Sequence, residues 1–297
     1  MLRRTVRLRA PVDLRATLGA LSAGPADPTT ILRPGEAWRG TRTPDGPATL
    51  RLSGSGRVVD AEAWGPGAGW LLEAAPGFVG ADDEPFASDH PLVGRLARRH
   101  AGLRVTRTAR VVEVTLRAVL EQRVTGRESK RSWARLVRAT SEPAPGPAPG
   151  LFLPPDPAVV AGLAYHRFHP MGVERTRAET LIRVARHARR LEDTAAMPLD
   201  DAHRRLQAVR GVGPWTAALV AGVALGDADA VPVGDYHIPN TVAWALAGEP
   251  RADDDRMLHL LEPFTGQRGR VVRLLKAAGI RAPKYGPRAP IRSIERI

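Results

Sequence analysis

The sequence predicts an α+β protein, with a small N-terminal antiparallel sheet domain that includes a helix, followed by an all-helical domain. Three observations support this division. Short alternating apolar runs separated by glycine-rich turns fill the first 84 residues, glycine becomes scarcer after about Pro85, and from there the apolar residues recur with a helical period. We therefore expect domains at 1–84 and 85–282, with an irregular basic tail at 283–297.

The N-terminal elements begin with a strand at 5–9, where apolar and basic residues alternate as in a half-buried strand. Asp13 is placed to cap a helical run that ends at Gly24. Turn-forming clusters of Gly, Pro and Ser then separate four more predicted strands, at 38–43, 48–52, 57–64 and 70–74. This spacing indicates an antiparallel meander with a helix packed on one face.

The second domain contains nine predicted amphipathic helices. They lie at 92–100, 110–122, 128–140, 175–192, 200–210, 214–225, 236–246, 253–261 and 267–278. The Pro/Ala-rich segment at 141–150 is expected to be a stiff connector between helices, without a fold of its own.

Composition narrows the class of protein. The 44 Lys and Arg residues exceed the 31 Asp and Glu residues, and the net charge of +13 suits a polyanionic partner such as nucleic acid. The absence of Cys excludes disulfides, thiolate nucleophiles, Cys-ligated zinc and cysteine-held iron–sulfur clusters. No run approaches the roughly 20 apolar residues of a membrane-spanning helix, so we expect a cytoplasmic protein with no membrane partner.

The most informative segment is LQAVRGVGPWTAALVAGVAL, at 206–225. It predicts a helix, a tight turn at Gly211-Val212-Gly213, and a second helix opened by Pro214, whose missing N–H costs nothing there. The glycines permit positive φ and a close backbone approach, and the free N–H groups of the second helix form an anion site. Such a helix-hairpin-helix grips a DNA phosphate without reading sequence. An ordinary helical hairpin with a glycine turn is the alternative.

Asp235 lies 22 residues beyond Gly213, just ahead of an amphipathic helix. As a helix cap it would accept backbone N–H bonds and stay ionised, which is a sufficient structural explanation. The functional interpretation is a carboxylate held close to the DNA that the hairpin grips.

Hairpin, gap and aspartate together resemble the helix-hairpin-helix/Gly-Pro-Asp DNA glycosylases, in particular the bacterial 3-methyladenine DNA glycosylase II type. Further blocks resemble the same family: VTLRAVLEQRVTGRESKRSWARLV at 114–137, Gly172 with RTRAETLIRVA at 175–185, and EPFTGQRGRVVRLL at 262–275. In this subfamily a small antiparallel sheet domain precedes the helices, in agreement with the elements predicted for 1–84.

The resemblance implies a reaction. Members of the family flip a damaged nucleotide out of double-stranded DNA and hydrolyse its N-glycosidic bond. By resemblance, Asp235 stabilises the oxocarbenium-like sugar and helps to position or deprotonate the water. The residues implied to hold a phosphate beside the lesion are Gly211, Val212, Gly213 and Thr216.

The resemblance also bears on cofactors, pocket and product. No cofactor is expected to be required, although the family binds a monovalent cation on hairpin carbonyls, here those of Gln207, Val209 and Val212. Relatives that also nick the strand carry a Schiff-base lysine where this chain has Trp215, so we expect a monofunctional glycosylase. The resemblance to the 3-methyladenine type implies alkylated purines as substrates, and we expect a monomer. Trp215, Tyr236 and Leu219 would line the base pocket, although plain packing also explains the tryptophan.

Three positions depart from the subfamily pattern. The resemblance implies that Gln122 and Arg123 of the early loop contact DNA. Arg123 stands where a leucine wedge often enters the base stack, and it can fill the vacated space or bind phosphate. Leu219 and Lys276 replace aromatic residues, which leaves the preferred lesion open. A non-catalytic protein that binds damaged or structured DNA is the competing hypothesis, and Asp235 argues against it, because a carboxylate beside phosphates repels DNA.

Overall fold

The computed structural model describes residues 1–283, and within them it confirms the predicted α+β class. Apart from its first residue, the predicted basic tail lies outside the described residues. The boundaries at 84 and 282 stay predictions.

A four-stranded antiparallel sheet forms the N-terminal part of the described chain, in the order β1-β4-β3-β2. The strands are β1 (Leu2–Val12), β2 (Thr30–Arg33), β3 (Glu36–Thr43) and β4 (Gly46–Trp64). β4 folds back on itself, as one contact shows: Arg51 Nη1 lies 2.6 Å from Glu62 Oε2, although the two residues are eleven apart in the chain. The predicted strands at 48–52 and 57–64 are the two arms of β4.

Helices α1 (Leu14–Leu18) and α2 (Ala68–Phe78) accompany the sheet. Asp13 caps α1 as predicted: its Oδ1 accepts the N–H of Ala16 at 3.0 Å. The helical run is shorter than predicted, since α1 is followed by a 3-10 turn at Gly19–Leu21 rather than continuing to Gly24.

The strand predicted at 70–74 is wrong, because these residues belong to α2. Leu71, Leu72, Ala75 and Phe78 are buried, which is the spacing of one helical face and not of a strand. α2 contacts β4 and β1 through this face.

All nine helices predicted for the second part have a counterpart among the described residues, with some shifts in their ends. The elements are α3 (Pro91–Arg99), α4 (Val111–Glu121), α5 (Gly126–Thr140), α6 (Pro157–Gly162), α7 (Arg175–Arg186), α8 (Ala188–Glu192), α9 (Leu199–Gln207), α10 (Pro214–Val220), α11 (Ile238–Ala247), α12 (Asp254–Leu261) and α13 (Arg268–Ala277). The helix predicted at 175–192 is divided at His187 into α7 and α8, and α10 runs into a π-helical turn at Ala221–Leu225. The sequence pattern missed α6 and a 3-10 segment at Tyr165–Met171.

The segment at 141–150 is not the unfolded connector that its composition predicts. Ala144 N–H donates to the Leu151 carbonyl at 2.9 Å, and just beyond it Phe152 N–H donates to the Pro28 carbonyl at 2.7 Å. These bonds turn the segment back onto the edge of the sheet. Proline-rich composition predicts stiffness, but it does not show whether a neighbouring backbone is available.

A buried ion pair fixes the sheet to α4. Arg39 Nη2 lies 2.7 Å from Glu113 Oε1, Thr41 Oγ1 donates to Glu113 Oε2 at 3.1 Å, and both charged residues are only 7% exposed. α4 is thereby held in place, and its C-terminal end leads directly into Gln122 and Arg123.

The hydrophobic core of the described residues consists of two clusters. One extends from the sheet through α4, α5, α7 and α10, and the other joins α3, α11, α12 and α13. The predicted hairpin belongs to the first cluster, whereas the helix after Asp235 belongs to the second. Across residues 1–283, no helix has the length and apolarity needed to span a membrane.

Candidate active site

The predicted hairpin is formed by α9, the turn at 208–213 and α10. Gly211 has φ +97°, and a Cβ at this position would overlap the side chain of Thr180 on α7. Arg183, one turn further along α7, donates from Nε to the Arg210 carbonyl at 2.9 Å. The hairpin therefore rests on α7, and glycine is required at position 211 for both conformation and space.

Gly213 is different, since apart from its chain neighbours no described atom lies within 4 Å of where its Cβ would be. Its φ of −93° and ψ of −177° are open to any residue. Neither backbone strain nor internal packing therefore explains this glycine. It leaves the start of α10 bare, with Pro214 in the first turn and the positive end of the helix beside it. A ligand with negative charge can approach the backbone here.

Gln122 links the loop after α4 to the hairpin. Its Nε2 donates to the Gly211 carbonyl and to Thr216 Oγ1, both at 2.9 Å. Thr216 is only 2% exposed as a whole residue, and its Oγ1 accepts the bond from Gln122, so its hydroxyl points into the protein. The DNA contacts that the resemblance implies for both residues stay a prediction; the structure shows that their side chains bond to each other and that Gln122 also bonds to the hairpin backbone.

Arg123 follows at the tip of this loop, exposed and with φ +54°. A non-glycine residue in this region costs of order 1–3 kcal/mol, and such strain is concentrated at functional sites. The next turn is rigid, because Thr125 and Glu128 form a reciprocal capping box at the start of α5. The loop thus presents the guanidinium from a fixed support beside Gln122.

Asp235 is held by three hydrogen bonds within the described chain. Its Oδ1 accepts the N–H groups of His237 at 2.7 Å and Ile238 at 2.9 Å, and its Oδ2 accepts Trp215 Nε1–H at 3.0 Å. The carboxylate therefore binds two N–H groups at the start of α11, whose N-cap residue is His237, and is also tied to the first turn of α10. A carboxylate has about four acceptor sites, so these bonds leave one on Oδ2.

Trp215 thus has a contact that the sequence did not predict. Besides being half-buried beside the hairpin, it connects the hairpin to the carboxylate. Tyr236 is 85% exposed, with its ring edge-on to that of His237 at 4.8 Å between centroids. Leu219, one turn after Trp215, is half-buried against the first hydrophobic cluster. Whether the three line a base pocket stays a prediction.

The hairpin carbonyls supply oxygen ligands, as a hard cation prefers. Gln207 ends α9, where carbonyl groups lack partners in the helix, and the Val209 carbonyl accepts the N–H of Val212 at 2.9 Å, which leaves it one lone pair. These donors are compatible with a monovalent cation.

Lysine is absent from the hairpin. Within residues 1–283 the lysines are Lys130 and Lys276. Lys130 is on α5 and lies against Gly24 of the N-terminal part, while Lys276 is exposed in the last turn of α13.

No protein-family model and no curated protein matches the sequence. Solved structures do match. A 3-methyladenine DNA glycosylase from Archaeoglobus fulgidus superposes with a TM-score of 0.75 at 16% identity, over 93% of this chain and 98% of that one. An 8-oxoguanine glycosylase/lyase from Clostridium acetobutylicum, in complex with double-stranded DNA containing cytosine opposite 8-oxoguanine, gives 0.70 at 13% identity, over 93% and 99%. The chain has the fold of the helix-hairpin-helix DNA glycosylases, as its motifs predict.

Proposed function

We propose that this protein is a monofunctional DNA glycosylase that binds duplex DNA as a monomer and hydrolyses the N-glycosidic bond of a damaged base. The observation that carries the proposal is the hydrogen bond from Trp215, in the first turn of the hairpin's second helix, to the carboxylate of Asp235. This bond connects the hairpin, which can bind a phosphate, to the Asp235 carboxylate, which can stabilise a developing positive charge.

Binding uses the bare start of α10. A backbone phosphate approaches Gly213 and accepts N–H groups from the first turn of the helix, with no side chain between them. Arg210 is exposed on the same turn, and the net charge of +13 favours any duplex over neutral partners. This mode of binding is independent of sequence.

The target nucleotide must leave the stack before the bond can be reached, which costs a few kcal/mol. Arg123 fills the space that is left, because its guanidinium can stack between bases and donate hydrogen bonds at the same time. The strained backbone at this residue supports a role that requires one fixed direction of the side chain.

In the chemical step, the bond between the sugar C1′ and the base nitrogen breaks, and its electron pair leaves with the base. The sugar becomes positively charged, and Asp235 stabilises it through the acceptor site left on Oδ2. Water then adds to C1′ and gives up a proton, which Asp235 can take. The products are the free base and an intact strand with an abasic site.

An alkylated purine is the substrate class that these residues favour. A purine methylated on a ring nitrogen carries a positive charge and leaves as a neutral base, so no strong general acid is needed. Trp215 stands where strand-nicking relatives have their lysine, which favours the class of the Archaeoglobus 3-methyladenine enzyme over that of the Clostridium glycosylase/lyase. A monovalent cation on the carbonyls of Gln207, Val209 and Val212 would rigidify the hairpin when bound.

The test is a panel of duplexes, each with one modified base, incubated with the protein and analysed for free base and for strand cleavage. We expect release of a methylated purine and a strand that breaks only after alkali. A protein that binds these duplexes and releases no base from any of them is a non-catalytic DNA-binding protein, and the proposed function is then wrong.

A further inference from the structure

We infer that Asp254, a residue outside the hairpin and its loop, is a positioning residue for Asp235; the inference rests on the proposed function. Asp254 is the first residue of α12, and its Oδ2 accepts the N–H of Gly234 at 2.9 Å. Gly234 immediately precedes Asp235 in the chain. Asp254 thus fixes the backbone on one side of the catalytic carboxylate.

The helix that carries Asp254 does not need this side chain for its own cap. Asp253 is the N-cap of α12, and its Oδ1 accepts the N–H of Arg256 at 2.9 Å. Asp254 is therefore free to reach across to the Gly234 loop. Asp255, next along the helix, is exposed to solvent.

The placement of Asp254 is unfavourable for stability. Its Oδ1 is buried and has no hydrogen-bond partner among the described residues. A charged oxygen removed from water without a partner costs free energy, and an amide or apolar side chain would cost less. An unsatisfied buried group of this kind calls for an explanation, and a task at the active site provides one.

On this side of Asp235, Val231 and Val233 pack against the second hydrophobic cluster, and Gly234 is the exposed link between them and the carboxylate. Gly234 has φ +89°, and apart from its chain neighbours no described atom lies within 4 Å of its Cβ position, so packing does not hold this residue itself. On the other side, the carboxylate of Asp235 is anchored to α11 by the N–H groups of His237 and Ile238. The hydrogen bond to Asp254 therefore fixes the peptide group of Gly234, between the packed valines and the anchored carboxylate.

The support is itself tied to α11. Asn240 of α11 accepts through Oδ1 the N–H of Ala252 at 2.8 Å, two residues before Asp254. The chain of contacts therefore closes on itself, from α11 through Asn240 to the start of α12, through Asp254 to Gly234, and through Asp235 back to α11. Within such a closed ring, the Asp235 carboxylate is held in one position relative to α11 and α12.

Asp254→Ala removes the acceptor for Gly234 and should slow excision in single turnovers by about 10- to 100-fold, since a shift of about 1 Å at a reacting group has effects of this size. Affinity for duplex DNA should stay unchanged.

Three further variants serve as controls. Asp254→Asn keeps an amide oxygen for the same N–H, and its excision rate should stay within about threefold of the wild type. Asp254→Glu keeps the charge but places the carboxylate one methylene farther from the backbone, so its excision should also be slow. Asp255→Ala, which removes the same charge from the same helical turn, is the matched control and should match the wild type.

Hydrogen–deuterium exchange gives a readout that does not depend on activity. In Asp254→Ala the peptide at 229–238 should exchange faster, and the hairpin peptide at 206–216 should not change. Equal excision rates for Asp254→Ala and Asp255→Ala, or unchanged exchange at 229–238, would overturn the inference. If the wild type itself releases no base, the proposed function fails, and the exchange data still decide whether Asp254 holds the loop.

Discussion

Glycine is needed at the two hairpin positions for different physical reasons. Substituting each glycine by alanine distinguishes an effect on stability from an effect on DNA binding. Gly213→Ala adds a methyl group into open space and should leave the free energy of unfolding within about 0.5 kcal/mol of the wild type. Because the methyl group blocks a charged hydrogen bond worth about 1.5–3 kcal/mol, duplex affinity should fall by about 10- to 100-fold. Chemical denaturation and fluorescence anisotropy measure the two quantities.

Gly211→Ala is the matched comparison. It forces alanine into the left-handed region and against Thr180, so it should destabilise the protein by at least about 1–2 kcal/mol. If Gly213→Ala retains full affinity, the phosphate does not approach the hairpin at this residue.

Arg123 allows a test of strain against function. Alanine is ordinarily more stabilising than glycine, but at φ +54° the order should reverse, with Arg123→Gly more stable than Arg123→Ala by about 1 kcal/mol. Both variants should slow excision of a well-paired lesion more than of a mispaired one, since the mispaired base is already partly unstacked. Equal losses on the two substrates would reassign Arg123 to phosphate binding.

At the scale of single residues, the sequence predicts which side chains matter better than it predicts what they touch. Asp235 and the hairpin glycines follow from local spacing. The bonds from Trp215 to Asp235 and from Gln122 to Thr216 span 20 and 94 residues, and no local pattern contains them. Asp254 carries no sequence signal, because a second aspartate in a helical first turn is ordinary.

At the scale of elements, the joint between the sheet and α4 is a buried ion pair. Glu113→Ala leaves Arg39 as an uncompensated buried charge and should destabilise the protein by about 3–5 kcal/mol, as measured by urea denaturation. Arg39→Met combined with Glu113→Leu should recover much of this loss. A destabilisation below about 1 kcal/mol for Glu113→Ala would show that the joint is held by apolar packing alone.

The ion pairs that Arg51 makes on the sheet should make the protein sensitive to acid. Hydrogen bonds from Arg51 hold the pKa of Glu36 and of Glu62 below the ordinary value near 4.5, and Arg3 also lowers that of Glu62. Since both pKa values are lower in the folded state, this stabilisation is present above pH 4.5 and is lost as the pH falls through the lowered values. Melting temperature measured between pH 3 and 6 should fall on acidification, and less steeply in Arg51→Met. Parallel curves for the two proteins would contradict the assignment.

Long periodic runs predicted the elements well, and short runs did not. The apolar period of α4, α5, α12 and α13 extends over two turns or more, so only one interpretation fits. The run at 70–74 is too short to distinguish a strand from a helix by its sequence. These residues form part of α2 because one helical face packs against the sheet. β2 is a strand of four residues that pairs with β3 across a two-residue turn, too short a run to give a period of its own. The folded segment at 141–150 is followed by Phe152, whose backbone partner Pro28 is distant in the chain.

At the scale of the whole molecule, the candidate site lies where the two hydrophobic clusters meet, with α10 from one and α11 from the other. Its binding should follow the overall charge. Log affinity for an undamaged duplex should fall linearly with log salt, with a slope of about −0.9 for each phosphate neutralised. Titrations at several salt concentrations measure the slope, and an affinity independent of salt would rule out phosphate binding as its source.

The central claim, that Asp235 provides the charge for base excision, is tested most directly by single-turnover excision with Asp235→Asn, alongside the affinity of the same variant for DNA. Asparagine preserves the shape and an oxygen that can cap α11, but it removes the charge. We expect excision to fall by about 100- to 1,000-fold, the usual effect of losing one well-placed electrostatic group. DNA affinity should hold or increase, because a negative charge facing phosphates is lost. Unchanged excision by Asp235→Asn would contradict the account.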